Sequence, residues 1–395
     1  GEKDMATYPK LISDKKNPLK ASDWFEKAND EVQFAYWVPN VSGGLVITML
    51  PMDTDYGIEA NIKYAQDAEA TGFATALCQT RWFASYGADH QHEAFTIANA
   101  LLQHTSTLEM ITAVHPGLWH PAIVAKMQAS LDVVSGGRTS INVVSGWFKG
   151  EFTALGFPWL EHKERYRRSE EFIRVMKGMW TEEEFTFYGD FYQINQAPML
   201  PKPLHRPVVF QGGNSTDARE MAGRVTDCLF MNGNTNDGFN EIMSDARQSA
   251  ADSGRDPNEL KFGCNGFTII RDSMKEATEQ LREIIVNADV EAVKGFGEAV
   301  KGAARETKDG KGMWGNSSFA DLVQYNDGFK TGLIGTPETV AKRIIELKQL
   351  GMGVILCGFL HYNWELKNFG EKVIPLVREM EADLRKGKRV RKKSA

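Results

Sequence analysis

Residues 207–215 read PVVFQGGNS, and a helix-like run, TDAREMAGRV, follows at 216–225. An apolar, β-rich run that breaks at two glycines and opens a helix with a hydroxyl residue gathers backbone N–H groups at the positive end of that helix. Such a turn can hold a phosphate group. The same residues also suit an ordinary strand-to-helix turn in which Ser215 acts only as the N-cap. This segment alone leaves both interpretations open.

Seven further apolar, β-rich runs alternate with helical patterns along the chain. They lie at 34–40, 73–79, 108–116, 139–146, 227–233, 261–270 and 353–360. Strands of nearly continuous apolar character separated by helices predict a parallel sheet covered on both faces. Eight such strands favour a (β/α)8 TIM barrel with insertions. The alternative is a doubly wound sheet, but VPNVSGG at 38–44 is not the Gly-rich fingerprint expected after its first strand.

Two segments interrupt this rhythm. EFTFYGDFYQI at 184–194 alternates aromatic and polar residues around Gly189 and Asp190, which predicts an inserted β-hairpin. The region from about 288 to 331 is polar and rich in Gly and Lys. We expect it to have little apolar surface of its own and to form a lid over the barrel mouth. The predicted organisation is a flexible extension at 1–30, one barrel domain at 31–385 and a basic, frayed tail at 386–395.

Composition excludes several classes of protein. The net charge is −6 and the charged residues, 25% of the chain, are mixed in sign, which argues against a nucleic-acid-binding surface. The four cysteines are far apart and lie inside apolar runs, so we expect buried thiols and no metal site. No apolar run reaches the roughly 18 residues of a membrane span. We therefore expect a soluble, cytoplasmic protein that binds neither membrane nor nucleic acid.

The C-terminal ends of barrel strands carry the functional groups of such folds. Here those positions hold amides, aromatic residues and the candidate phosphate cradle. They hold no pair of carboxylates, and no Lys stands there for a Schiff base. A barrel mouth of this composition indicates that a phosphorylated cofactor supplies the chemistry.

Five ordered segments carry a resemblance to a known family. They are FAYWVPNVSGG at 34–44, NVVSGWFKGEF at 142–152, HKERYRRSEEF at 162–172, QGGNS at 211–215 and YNDGFKTGLIGTPE at 325–338. Together they resemble the bacterial-luciferase-like flavin monooxygenases, and among these most closely the dimethylsulfone monooxygenases. The resemblance extends over roughly residues 33–385. It implies an enzyme that uses reduced FMN and O2, with the FMN supplied by a separate NAD(P)H-dependent FMN reductase, and it implies a homodimer or homotetramer.

The resemblance also implies a set of flavin-binding residues. Asn142 and Ser145 match positions beside the flavin, where Trp147 is also expected. His162 and Tyr166 match positions at the ribityl-phosphate arm, and their spacing of four places them on one helical face. The phosphate cradle comprises Gln211, Gly212, Gly213, Asn214 and Ser215. Without the motif, Tyr166 would be interpreted as a packing residue, His162 as a surface or cap residue and Asn142 as a partner of backbone groups.

Differences from the relatives concern the substrate. Arg81 and Trp82 stand where luciferases carry a histidine pair. Asn265 and Phe267 stand where alkanesulfonate enzymes carry an Arg and a His. Losing a strand-end Arg favours a neutral substrate, because Arg is the side chain that binds anions with two hydrogen bonds.

The tentative substrate pocket is therefore Arg81, Trp82, Asn232 and Phe267, and the expected substrate is a small neutral organosulfur compound. Similarity implies dimethylsulfone, oxidised to methanesulfinate and formaldehyde. The alternatives are an alkanesulfonate-type or other small-molecule flavin monooxygenase, a deazaflavin-dependent oxidoreductase, and a non-catalytic flavin-binding protein.

Overall fold

A computed structural model describes residues 21–84, 86–305, 307, 309 and 311–393. The α-helices are α1 Asp23–Lys27, α2 Ile58–Thr71, α3 Ala94–Leu102, α4 Pro121–Val134, α5 Lys149–Ala154, α6 His162–Thr181, α7 Thr216–Val225, α8 Asn236–Asp252, α9 Met274–Val286, α10 Val290–Arg305, α11 Phe319–Leu322, α12 Pro337–Leu350, α13 Tyr362–Lys372 and α14 Ile374–Lys393. The strands are β1 Gln33–Val38, β2 Thr75–Cys78, β3 Glu109–Val114, β4 Thr139–Val143, β5 Glu184–Tyr188, β6 Gln193–Pro198, β7 Val208–Gly212, β8 Cys228–Met231, β9 Lys261–Phe267, β10 Ile269–Ile270, β11 Ile334–Gly335 and β12 Val354–Gly358. Short 3-10 helices lie at Pro257–Glu259 and Gly328–Thr331.

Eight strands close into a parallel barrel in the order β1-β12-β9-β8-β7-β4-β3-β2. Closure is made by β1, which pairs in parallel with β12 on one side and with β2 on the other. The strands are buried nearly throughout, since all residues of β3, β4 and β12 lie out of solvent. Continuous apolar strands need helices on the outside and side chains inside, which is the arrangement of a (β/α)8 barrel. The predicted fold is confirmed.

Helix α1 covers the amino-terminal end of the barrel. Phe25 is 3% exposed and makes an edge-to-face contact with Phe210 of β7, with ring centroids 6.0 Å apart. Trp24 stacks on Phe210 and donates a hydrogen bond to Glu109 of β3. Lys261 at the start of β9 donates to the Phe25 carbonyl oxygen. Residues 21–30 are therefore part of the packed barrel, in contrast to the flexible extension predicted for 1–30; residues 1–20 lie outside the described part.

The predicted β-hairpin is present. Strands β5 and β6 pair antiparallel, with Glu184 opposite Pro198 and Tyr188 opposite Gln193. Phe185, Phe187 and Ile194 are buried, while the alternate residues of β5 are exposed. The alternation seen in the sequence is thus the alternation of the two faces of a half-buried strand pair.

The region 288–331 is more apolar than its composition suggests. Its main element is α10, whose residues Val293, Phe296 and Val300 are fully buried in the hydrophobic core. The spacing of three and four residues gives α10 one continuous apolar face. The expectation that this insertion has little apolar surface of its own is wrong, because a helical periodicity is hidden among its Gly and Lys residues.

The C-terminal helix α14 continues to Lys393, past the boundary predicted at 385. The basic residues up to that point thus belong to its last turns. Among the described residues, no helix has the length and apolar character needed to cross a membrane. The same part of the chain contains no group of His, Cys, Asp and Glu side chains placed to hold a metal ion.

Candidate functional site

A cavity opens at the carboxyl ends of the barrel strands and measures about 1400 Å³ with the open space at its mouth included. Most of the predicted site residues line it: Arg81, Asn142, Ser145, His162, Tyr166, Gly212, Gly213, Asn214, Ser215 and Asn232. The basic side chains in its lining are Arg81, His162 and Arg165, and no carboxylate of the described residues joins them. A cavity with this lining suits an anionic ligand.

The turn between β7 and α7 forms a cradle of backbone groups. Ser215 is the N-cap of α7, and its hydroxyl accepts a hydrogen bond from the Ala218 N–H at 3.2 Å. Gly213 has a φ of +145°, a conformation that glycine adopts without strain. The Asn214 side-chain oxygen is buried without a hydrogen-bond partner among the described residues. Ser215 therefore caps the helix and also lines the cavity, so the two interpretations of PVVFQGGNS are compatible.

Tyr166 and His162 lie on the cavity side of α6, with ring centroids 5.0 Å apart. Burial raises the pKa of Tyr166 to about 12, against the opposing effects of Arg165 and of hydrogen bonds with Ser215 and Ser145. The phenol is thus a neutral donor beside the cradle. His162 Nδ1 lies 2.9 Å from Asp217 Oδ2 in the first turn of α7. This contact joins α6 to the helix that carries the cradle.

Amides without partners occupy the floor of the cavity. The Asn142 side-chain oxygen is buried and has no hydrogen-bond partner among the described residues. The Asn232 amide lies near the Asp327 carboxyl, outside the geometry of an ordinary hydrogen bond. Buried amide groups normally have partners. Unpaired ones at the ends of β4 and β8, the two strands that flank β7, indicate that a ligand with donors and acceptors completes them.

The half-buried Arg81 and the buried His115 and Glu151 form a cluster at one side of the floor. Arg81 Nη1 lies 2.7 Å from His115 Nε2, and the guanidinium carbon is 4.7 Å from the centre of the Trp147 ring. Glu151 accepts the Trp82 N–H at 3.1 Å and comes within 3.9 Å of His115. Arg81 and His115 lie just beyond the ends of β2 and β3, and of the two the sequence analysis named Arg81. Glu151 follows the strand in α5 and was not predicted.

An aromatic wall faces this cluster and was missed by sequence reasoning, except for Trp147. Phe296 makes edge-to-face contacts with Trp147, Trp314 and Tyr325, with centroids 5.5, 5.8 and 5.3 Å apart. The Trp314 indole donates to the Tyr325 carbonyl oxygen at 2.8 Å. The insertion thus supplies flat apolar surface to the cavity. The periodic apolar face of α10 was the available signal.

Three predicted residues do not line the cavity. Gln211 is fully buried and donates to the Ala218 carbonyl oxygen at 2.9 Å, because strand alternation turns it away from the mouth. Trp82 is 41% exposed and stacks on Trp119 outside the cavity. Phe267 is covered by Phe329 from the insertion, with centroids 5.4 Å apart. Their predicted places in the flavin or substrate pocket are corrected accordingly.

Asn265 lines the cavity, but both ends of its side-chain amide already make hydrogen bonds within the protein. Its oxygen accepts from the Trp37 indole at 2.7 Å, and its nitrogen donates to the Met231 carbonyl oxygen at 3.0 Å. A neutral side chain with both ends occupied has no charge to offer an anion. This agrees with the expectation that the pocket lacks the strand-end Arg of sulfonate enzymes.

Residues 307, 309 and 311–314 lie above the cradle. Thr216 at the start of α7 donates to the Asp309 carboxylate, and Lys311 Nζ lies 3.2 Å from Glu241 of α8. The Met313 methyl stands 3.7 Å from the position that a Cβ of Gly212 would take. Polar contacts on the rim therefore hold the insertion over the phosphate cradle.

A (β/α)8 barrel with a glycine-containing strand-to-helix turn, unpaired amides and an aromatic wall at its mouth is an architecture typical of cofactor-dependent barrel enzymes. The family model "Luciferase-like monooxygenase" matches residues 32–353. The chain belongs to this family, which confirms the resemblance seen in the sequence.

Two curated relatives and one solved structure extend the comparison. The chain is 54% identical over 356 residues to the FMNH2-dependent dimethylsulfone monooxygenase of Pseudomonas putida, covering 90% of this chain and 97% of the relative. The enzyme of the same name from Pseudomonas fluorescens (strain Pf0-1) is 53% identical over 351 residues, with 89% and 96% covered. A crystal structure of riboflavin lyase superposes with a TM-score of 0.76 at 19% identity, covering 89% of this chain and 92% of that one, and supports the fold.

Proposed function

We propose that this protein is an FMNH2-dependent monooxygenase that oxidises dimethylsulfone to methanesulfinate and formaldehyde. The observation that carries the proposal is the cavity itself, in which an anion cradle, a buried neutral phenol, unpaired amides and an aromatic wall meet at one barrel mouth. Two relatives with the same named activity, at 53–54% identity over nearly their whole length, support the choice of reaction.

The donors present fit reduced FMN. The backbone of Gly212 and Gly213, the Ser215 hydroxyl and the Tyr166 hydroxyl would hold the phosphate, with the Arg165 charge and the His162 ring at the same end. The amides of Asn142 and Asn232 would pair with the polar edge of the ring system. Trp147 and Phe296 would supply the flat walls that a flavin ring requires. When bound, reduced FMN supplies the electrons that activate O2.

The chain's own residues then have three tasks. The insertion excludes water, since Phe296, Trp314 and Met313 close the apolar side of the cavity. The strand-end amides hold the cofactor in one orientation. Arg81 and the aromatic wall orient the substrate methyl group. The overall reaction balances: dimethylsulfone, O2 and FMNH2 give methanesulfinate, formaldehyde, FMN and water.

Turnover with substrates of different charge tests the proposal. The enzyme is mixed with O2, a flavin reductase that supplies reduced FMN, and either dimethylsulfone, methanesulfonate or longer alkanesulfonates. Formaldehyde release from dimethylsulfone should exceed turnover of the sulfonates at least about tenfold, equivalent to ~1.4 kcal/mol in the barrier. Comparable sulfite release from an alkanesulfonate would favour the alkanesulfonate-type alternative. Hydride transfer with a deazaflavin would favour a deazaflavin-dependent oxidoreductase. Flavin binding without any product would favour a non-catalytic flavin-binding protein.

Three further features belong to this proposal. A separate NAD(P)H-dependent FMN reductase is the expected source of the reduced cofactor. The four buried free thiols are typical of a reducing compartment, which supports work in the cytoplasm. A homodimer or homotetramer is the expected assembly, and light scattering of the purified protein measures it directly.

A further inference from the structure

Arg81 offers hydrogen-bond donors to the cavity. It lines the floor, and its one hydrogen bond within the described residues goes to His115 Nε2 at 2.7 Å. Its flat face rests over the Trp147 ring at 4.7 Å, which fixes the plane of the guanidinium. The remaining N–H groups of a planar fork are therefore free for a ligand with two acceptor oxygens.

His115 holds Arg81 without adding charge. Its Nδ1 lies 3.1 Å from the Val144 carbonyl oxygen, so this nitrogen carries the proton and Nε2 accepts from Arg81. Burial and the neighbouring Arg81 lower the pKa of His115 to about 3. The imidazole is consequently a neutral acceptor in a fixed tautomer at every ordinary assay pH.

Glu151 is the carboxylate behind this pair. It is fully buried, accepts the Trp82 N–H at 3.1 Å and lies 3.9 Å from His115 Nε2. Its second oxygen is buried and has no hydrogen-bond partner among the described residues. Burial raises the pKa of Glu151 above its ordinary value, although Arg81 and the Trp82 amide act against this shift. Glu151 reaches Arg81 through His115, whose Nε2 lies 2.7 Å from Arg81 Nη1 and 3.9 Å from Glu151 Oε1. In a poorly polarisable interior, charges at this separation interact with little screening.

We propose that Glu151 determines substrate specificity by balancing the charge of Arg81, so that the guanidinium at the floor of the cavity and the carboxylate behind it together carry no net charge. Such a fork can donate to the two oxygens of a neutral sulfonyl group. It gives no Coulombic advantage to a sulfonate, which carries the same oxygens and a full negative charge. The inference rests on the proposed function, since it assigns how that site discriminates between neutral and anionic organosulfur compounds.

The test is the variant Glu151→Gln, which keeps an acceptor for the Trp82 N–H and removes the charge. Methanesulfonate and dimethylsulfone are titrated anaerobically against wild-type protein and variant, each with reduced FMN bound, using Trp147 fluorescence beside Arg81. Methanesulfonate affinity should rise at least about tenfold in the variant, while dimethylsulfone affinity should change less than about threefold. An unchanged ratio of the two affinities would overturn the inference.

Glu365→Gln is the matched control. Glu365 is also buried, accepts a backbone N–H from His361 at 2.8 Å and pairs with Arg271, remote from the cavity. Its substitution should leave the affinity ratio unaltered, and a rise equal to that of Glu151→Gln would overturn the inference.

Arg81→Gln keeps the inference testable if Glu151→Gln fails to fold. It should weaken dimethylsulfone binding at least about tenfold with unchanged FMN affinity, and the residual carboxylate of Glu151 should weaken methanesulfonate binding still more. Equal loss for both ligands, or no loss, would count against the assigned roles. A wild-type enzyme that releases no formaldehyde from dimethylsulfone would overturn the proposed function, whereas the methanesulfonate affinities would still decide the role of Glu151.

Discussion

The Tyr166 hydroxyl touches the backbone of Gly213 so closely that a Cβ placed on Gly213 would lie 2.5 Å from it. The same hypothetical Cβ would lie 2.7 Å from the Ala218 methyl group in the first turn of α7. Glycine is thus required by space as well as by the φ of +145°. The tyrosine, the cradle and the helix N-terminus form one contiguous donor surface.

Gly213→Ala is expected to disrupt the packing of Tyr166 and the N-terminus of α7 against the cradle. The added methyl group must push Tyr166 or α7 away, so the affinity for reduced FMN should fall at least about tenfold, or ~1.4 kcal/mol. Gly254→Ala is the control, since Gly254 also has positive φ but a Cβ there meets nothing within 4 Å. Anaerobic flavin titration measures both. Equal affinity in the two variants would contradict the role of Gly213 in the cradle.

The double variant Ser215→Ala with Tyr166→Phe should weaken reduced FMN by roughly 1–3 kcal/mol, because two hydroxyl donors to a charged group are removed. Ser273→Ala controls for the loss of an N-cap, since Ser273 caps α9 by accepting the Glu276 N–H at 3.1 Å. That variant should lose helix stability and keep its flavin affinity. Unchanged binding in the double variant would refute the phosphate assignment.

Limited digestion with trypsin should show whether the insertion acts as a lid. Lys311 pairs with Glu241 and Asp245 beside the cradle, at 3.2 and 3.9 Å, and nearby Asp309 accepts from Thr216. These are exposed contacts that contribute little each, so we expect cleavage at Lys311 in the free protein and slower cleavage with FMN bound. Lys386 in α14 is the internal control, and cleavage there should proceed at the same rate with and without FMN. Equal rates at Lys311 with and without FMN would argue against a lid.

Phe296→Ala should uncouple flavin oxidation from product formation. Removing a ring that contacts Trp147, Trp314 and Tyr325 opens the apolar wall to water, so more reduced FMN should end as hydrogen peroxide and less as formaldehyde. Phe239→Ala, equally buried on α8, should cost a similar 3–5 kcal/mol of stability without that change. The ratio of formaldehyde to oxygen consumed distinguishes the two. A ratio that falls equally in both would point to a general packing defect.

Glu109 makes stability depend on pH at the closed end of the barrel. Burial raises the pKa of Glu109 from 4.5 to about 7, against the hydrogen bond from Trp24. The folded protein therefore binds a proton that the unfolded chain releases between these values, and this stabilisation is lost as pH rises through 7. The free energy of unfolding of Glu109→Gln, relative to that of wild type, should increase by about 3 kcal/mol from pH 4 to pH 8. Denaturant unfolding at several pH values measures this difference in free energy. A difference between variant and wild type that stays constant with pH would contradict the raised pKa of Glu109.

The barrel could be predicted because its determinants are local. Each of the eight strands is a short apolar run, as in VILCG at 354–358, and chain order alone then fixes the order of neighbours. Helix α1 was missed because only Trp24 and Phe25 stand out in a polar segment. Their burial depends on Phe210, which is far away in the sequence.

The site was predicted where residues follow strands and missed where the insertion contributes. Asn142, Ser215 and Asn232 follow from strand ends, which converge in any such barrel. Phe296 and Trp314 come from a segment whose path over the mouth is set by tertiary contacts. Gln211 shows the opposite error, since it belongs to the correct motif but points to the other face of its strand.

Helix α1 covers one end of the barrel, and this determines the route by which reactants reach the site. Phe25, Phe210 and Phe230 fill the interior beneath the floor, so reactants arrive through the mouth at the other end. Flavin, dioxygen, organosulfur compound and both carbon products share this passage. Residues 307, 309 and 311–314 and the aromatic wall lie at this mouth, so every reactant and product passes them.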